Sequence, residues 1–84
     1  TDLFDPEGSE VYLKPIGEYV VTGEAVTYST AVEAARRRGE TAIGYRVMSE
    51  VHDAEKSYGV RTNPKKSEKV TFAPDDKLIV ISEN

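Results

Sequence analysis

Few groups in this chain could do chemistry. It contains one histidine, His52, and no cysteine. Thiolate nucleophiles, thiolate metal ligands and disulfides are therefore outside its repertoire. An imidazole works as a base or a metal ligand only with partners, and His52 has no acid or thiol at ligand spacing, so it reads as a loop residue. With one His and no Cys, no nucleophile–base–orienter set can be composed. The adjacent acids Asp75 and Asp76 would point to opposite faces of a strand, and a Pro-Asp-Asp turn accounts for them without acid/base work. The glycines at 8, 17, 23, 39, 44 and 59 are isolated, so there is no phosphate-cradling loop. Asp2, Asp5 and Glu7, with Glu10 beyond them, offer oxygens to a hard cation such as Ca²⁺. Their spacing does not follow the twelve-residue calcium loop, and a solvated acidic tail is the better reading of them. Tyr12, Tyr19, Tyr28, Tyr45 and Tyr58 are scattered at element edges, as packing residues rather than a stacking platform. The chain is therefore expected not to be an enzyme.

The elements that would position these residues must fit into 84 residues, room for one domain with one compact core. A formal net charge of −4 lacks the basic footprint needed to hold phosphate backbones, so no nucleic-acid partner is expected. The densest basic cluster, Arg36-Arg37-Arg38, fits the end of a helix, where the macrodipole favours cations. No apolar run reaches the length of a membrane span and no signal peptide is visible, so direct membrane insertion is not expected. The chain opens on Thr1 rather than Met, and is expected to be a piece of a longer protein.

The organising stretch is Ser29 to Val47. The spacing predicts a helix over about Thr30–Arg38, with Thr30 and Glu33 at capping-box spacing and Thr27 and Ser29 as rival caps. Ala31, Val32 and Ala35 fall on one side and Glu33, Arg36 and Arg37 on the other. Gly39 is placed to end the helix. From Thr41 the period becomes two, with Ala42, Gly44 and Arg46 alternating against Ile43, Tyr45 and Val47 in a half-buried strand. Ahead of the helix, residues 1–9 read as a linker or tail, broken by Pro6 and Gly8. Glu10 to Pro15 is a first strand with Val11 and Leu13 on one face and Tyr12 and Lys14 on the other. Tyr19 to Val21 is an extended apolar piece that either continues that strand or pairs separately. Met48 to Tyr58 is a loop with helical character. Gly59 to Thr62 and Lys69 to Phe72 are short extended pieces, and Lys77 to Ser82 is an apolar, β-branched strand suited to a sheet centre. The expected fold class is α+β, a small mixed or antiparallel sheet of four to five strands with one covering helix, over residues 10–84. One helix covers one face of such a sheet. The other face calls for a cover, and a second copy is the economical one.

The order strand, helix, strand, short strand and terminal apolar strand resembles the C-terminal lobe of the regulator of K⁺ conductance proteins, the TrkA-C type. Here Pro74-Asp75-Asp76-Lys77-Leu78-Ile79-Val80-Ile81 stands at the last strand, with Asp75 where those domains usually carry Gly. A closer likeness is to the cytosolic region of CASTOR/POLLUX ion channels and their bacterial relatives. It is carried by residues 8–15 (GSEVYLKP), 32–40 (VEAARRRGE), 42–46 (AIGYR), 58–60 (YGV) and Asn63-Pro64, and it covers nearly the whole chain. The resemblance implies a regulatory, gating domain of a potassium or cation channel, on the cytoplasmic side of the membrane and itself soluble. It implies a homodimer through the sheet or helix face, with the pore and a nucleotide-binding-like lobe as partners within the parent channel. No cofactor motif is evident, and Ca²⁺ or a nucleotide would be the regulatory ligand. Arg46 and the Lys65-Lys66 turn are the candidates for an anionic ligand, and Asp2, Asp5 and Glu7 for Ca²⁺. The alternative is a small-molecule-sensing accessory domain of the same fold in a transporter or transcription regulator.

Overall fold

The structure is a computed structural model, and it describes residues 9–83. The chain runs β1 (Ser9–Pro15), a 3-10 turn (Ile16–Glu18), β2 (Ala25–Thr27), α1 (Tyr28–Arg37), β3 (Glu40–Arg46), two further 3-10 segments, β4 (Val60–Thr62), β5 (Lys69–Thr71) and β6 (Lys77–Glu83). This is an α+β fold with one main helix. Four strands form an antiparallel sheet in the order β1-β6-β3-β4, and β2 and β5 form a separate two-stranded ribbon.

β6 lies between β1 and β3, as its continuous apolar run requires. Leu78 and Val80 are fully buried on the helix side, while Ile79, 8 % exposed, belongs to the opposite face. The register places Tyr12 beside Val80 and Lys14 beside Leu78, so these two face the helix. Val11 and Leu13, opposite Ile81 and Ile79, face away and remain 52 % and 47 % exposed. The more apolar pair of β1 thus points outward, and the pair with polar tips points to the core.

α1 begins two residues before the capping-box expectation because a loop takes over the capping. The N–H groups of Tyr28 and Ser29 donate to the carbonyls of Glu68 (2.8 Å) and Lys66 (2.9 Å). Thr27 is the N-cap without a side-chain bond to the backbone; its hydroxyl meets those of Ser29 and Thr30 instead. Glu33, freed from reaching back, bonds Arg36 and Arg37 on the outer face. The helix closes at Arg37, with Arg38 as C-cap and Gly39 left-handed at φ +76°. Tyr28, Ala31 and Ala35 are its buried residues, and the two alanines let it pack closely on β3.

Two expectations are corrected. Tyr19–Val21 is not a strand. The amides of Tyr19 and Val20 both donate to the Ile16 carbonyl, and the resulting turn swings their side chains into the core while Val21 stays exposed. The strict alternation expected along β3 is broken by a bulge between Ala42 and Gly44. The extra residue, Ile43, puts Ala42 and Tyr45 on the same, helix-facing side opposite Val80 and Leu78. Lys69–Thr71 is a strand of its own, paired with β2, and Val26 and Val70 from that ribbon pack against the core. Around Tyr45 the core is aromatic: Phe72 meets it edge-on at 5.0 Å and Tyr28 lies 6.0 Å away.

Candidate functional site

Two features on the helix side could serve a ligand or a partner: a buried carboxylate cluster and an open groove beside α1. The cluster centres on Glu40, the first residue of β3, which is 6 % exposed. Lys14 of β1 donates to its Oε2, and the Tyr19 hydroxyl donates to Oε1 at 2.7 Å. The Lys14 ammonium also lies 5.3 Å from the centre of the Tyr12 ring, and the Arg38 guanidinium lies 4.6 Å from the centre of the Tyr19 ring. Burial alone would raise the Glu40 carboxyl. The hydrogen bonds from Lys14 and Tyr19, together with the positive charges of Lys14 and Arg38, outweigh it and hold the group below its ordinary value. The result is a fixed anion, each oxygen accepting one bond, that ties β1 and the chain just past the 3-10 turn to β3.

The groove, about 400 Å³ and open to solvent, is lined by Tyr19, Ser29, Thr30, Glu33, Ala34 and Arg37. It offers two hydroxyls, a guanidinium and a carboxylate, a set suited to a small polar molecule. It carries no nucleophile with a base beside it. Three buried phenols are shifted toward their protonated forms. Burial, with the bond to Glu40 behind it, raises Tyr19 far above the usual tyrosine value. Burial and the hydrogen bond to Glu68 push Tyr45 up to about 12. Burial alone raises Tyr28.

The residues expected to hold an anion are only partly brought toward this groove. The Lys65-Lys66 turn lies at the start of α1 through the Ser29 N–H to Lys66 carbonyl bond, with both lysines exposed. Arg46 sits at the far end of β3, its Nε donating to the Tyr58 carbonyl at 2.9 Å, and no bond joins it to either lysine among the described residues. Asp2, Asp5 and Glu7 lie outside the described residues. Among the described residues, no group of three or more His, Cys, Asp or Glu is placed to hold a metal ion. His52 is exposed between the two 3-10 segments.

Asp75 and Asp76 separate into an exposed and a buried carboxylate. Asp76 accepts the Met48 amide on Oδ1 (3.0 Å) and the Ala73 amide on Oδ2 (2.9 Å). It pins the Pro74 turn to the chain beyond β3, which is a bracing role. Glu40 is the residue that sequence reasoning missed. The available signal was Lys14 sharing a strand face with Tyr12. A lysine turned toward the core needs an acid there, and Glu40 begins the strand that follows the helix. No known family model matches this chain.

Proposed function

We propose that the chain is a regulatory module of the CASTOR/POLLUX type, TrkA-C-like in its sheet and helix, from the cytoplasmic side of a potassium or cation channel. It pairs with a second copy and transmits ligand binding to the gate. The observation that carries this reading is an apolar strip left open on β1, on the sheet face away from α1, beside an Ile79 that is itself buried. α1 covers the face bearing Leu78 and Val80, while Val11 and Leu13 stay half-exposed on the other. An apolar surface of this kind supports a subunit contact. The mechanism is a population shift: a ligand that binds one arrangement of the paired domains more tightly biases the pore toward the state coupled to it. The groove beside α1 and the Lys65-Lys66 turn at its start are the places for an anionic ligand.

The test is a thermal-shift and calorimetric screen of the purified chain with Ca²⁺, nucleotides and cyclic dinucleotides, because a ligand of the folded form raises the melting temperature by mass action. A nucleotide whose stabilisation is lost in Lys65→Ala/Lys66→Ala supports the reading. A parent reading frame with no membrane segments would overturn it in favour of a sensing domain outside channels.

A further inference from the structure

We infer that the outer edge of β1 is a self-pairing edge: two copies of this chain join antiparallel through Ser9–Pro15, in the register centred on Tyr12, into one continuous eight-stranded sheet. The first support is the direction of the backbone groups. The Ile16 N–H donates to the Asp76 carbonyl at 3.0 Å, continuing the register in which Pro15 faces Lys77 and Lys14 faces Leu78. In an antiparallel ladder, residues bonded to the neighbour alternate with residues whose N–H and C=O point the other way. Glu10, Tyr12 and Lys14 therefore bond to β6, whereas Val11 and Leu13 turn both backbone groups to the outer edge. Among the described residues, β1 has no strand on that side. Pro15, the residue with no N–H to give, stands on the outward phase at the end of the strand, where a proline is tolerated.

The second support is self-complementarity. With Tyr12 opposite Tyr12 of the other copy, Glu10 falls opposite Lys14 and Val11 opposite Leu13, at both ends by symmetry. The Lys14 ammonium is already held by Glu40 and the Glu10 carboxylate accepts the Tyr12 hydroxyl at 2.9 Å, so what this register contributes is the absence of like charges directly opposite one another. Other registers available to the outward groups give up part of the overlap, match Glu10 with Glu10 or Lys14 with Lys14, or bring Pro15 into the middle of the ladder. The Tyr12-centred register aligns all seven residues of β1 and gives roughly six inter-chain hydrogen bonds, with the missing Pro15 donor at the ends. It also sets the half-exposed Val11 and Leu13 side chains beside their counterparts, joining two apolar strips into one. Among the described residues this edge has no neighbouring strand, and its sequence is complementary to itself in this register.

The inference stands apart from ligand and pore. It places one pairing at the strand edge and leaves the apolar face invoked in the proposed function uncovered, so its test reads edge pairing alone and failure here leaves that face and the ligand screen to judge that function. The chain lacks cysteine, which makes disulfide trapping clean. Tyr12 would face its counterpart as a non-hydrogen-bonded pair, the closest kind, near the Cβ separation a disulfide needs. Tyr12→Cys is expected to crosslink under mild oxidation, Val11→Cys is not, and mixed Val11→Cys and Leu13→Cys chains are. Leu13→Pro removes an outward N–H and no bond to β6. It is expected to weaken dimerisation in sedimentation equilibrium about tenfold or more while the far-ultraviolet spectrum stays unchanged. Should the proline strain the strand, Glu10→Lys is the second variant, expected to weaken the dimer by placing Lys opposite Lys14. A chain that stays monomeric up to millimolar concentration overturns the inference. So does a dimer that Leu13→Pro and Glu10→Lys leave intact, or one in which Val11→Cys crosslinks and Tyr12→Cys does not.

Discussion

Removing the charge of Glu40 is the sharpest perturbation of this fold, because three elements converge on that carboxylate. Its side chain is 4 % exposed, whereas that of its partner Lys14 is 29 % exposed. The asymmetry sets the order of the outcomes. In Glu40→Gln the side-chain oxygen still accepts from Tyr19, and the Lys14 ammonium can reach water. The cost should fall below the ~3–5 kcal/mol of breaking a fully buried pair, at about 1–3 kcal/mol. In Lys14→Met the carboxylate is left buried with the Tyr19 hydroxyl as its remaining direct donor, so this variant should be the worse of the two. For a domain of this size, 1 kcal/mol moves the melting temperature by roughly 4–8 °C, which makes both effects easy to read. The double variant should recover part of the Lys14→Met loss, since an uncharged amide no longer needs the ammonium.

The pH dependence follows with a definite sign. Glu40 is held below its ordinary value of 4.5 in the folded state, so the folded chain binds this proton less readily than the unfolded chain does. Its contribution to stability is present above the unfolded carboxylate value and is lost as pH falls from there through the depressed folded value. Urea melts of the wild type and Glu40→Gln between pH 3 and 7 should converge toward the acid end. Two results would refute the reasoning: a double-mutant cycle that closes within about 0.5 kcal/mol of additivity, or a gap between wild type and Glu40→Gln that does not shrink with acid.

Three other substitutions test the remaining contacts. Gly59→Ala combines a left-handed residue at φ +82° with a new Cβ only 2.2 Å from the Val47 carbonyl oxygen, so it should cost about 3 kcal/mol or more by thermal melting. Tyr28→Phe removes a buried hydroxyl that has no hydrogen-bond partner, and should leave the melting temperature unchanged or raise it by a few degrees. Asp76→Asn replaces a carboxylate that accepts two amides with a group offering one oxygen, and the orphaned amide should cost about 1–3 kcal/mol in urea unfolding.

Much of this architecture was legible because it rests on local chemistry. The alanine face and the Gly39 stop placed the helix within two residues at either end, and the apolar, mostly β-branched run of Leu78 to Ile81 marked the sheet centre. What escaped depended on distant partners. The start of α1 is set by carbonyls of Glu68 and Lys66, far along the chain, and a capping pattern cannot register donors satisfied from outside. The bulge at Ile43 is a matter of fitting β3 against β6, so periodicity carried the alternation one residue too far. The apolar look of Tyr19–Val21 was real, but it served a turn rather than a strand. Of the candidate site, the lysine turn was legible as charge. Its proximity to the helix start was not, because it depends on the β2–β5 ribbon bringing two separated segments together.

Residues of the stretch from Val32 to Arg46 have a common physical character. Ala35 lies fully buried under the helix, Glu40 anchors Lys14 and Tyr19, and Tyr45 fills the aromatic core. Gly44 lies where a Cβ would stand 2.2 Å from the Arg61 carbonyl oxygen. That stretch is therefore a folding unit, committed to the scaffold rather than to a ligand. Function has to be sought on surfaces the scaffold leaves open: the outer edge of β1, the Val11–Leu13 strip and the groove beside α1. The two sets of residues respond to different measurements. Variants in that stretch should lower the melting temperature and, as long as the chain folds, leave the register of pairing alone. Variants on the outward phase of β1 should alter pairing with little change in the stability of the single copy. A protein in which both sets moved both quantities together would have its fold and its assembly coupled, as in an obligate dimer whose single copies do not fold alone.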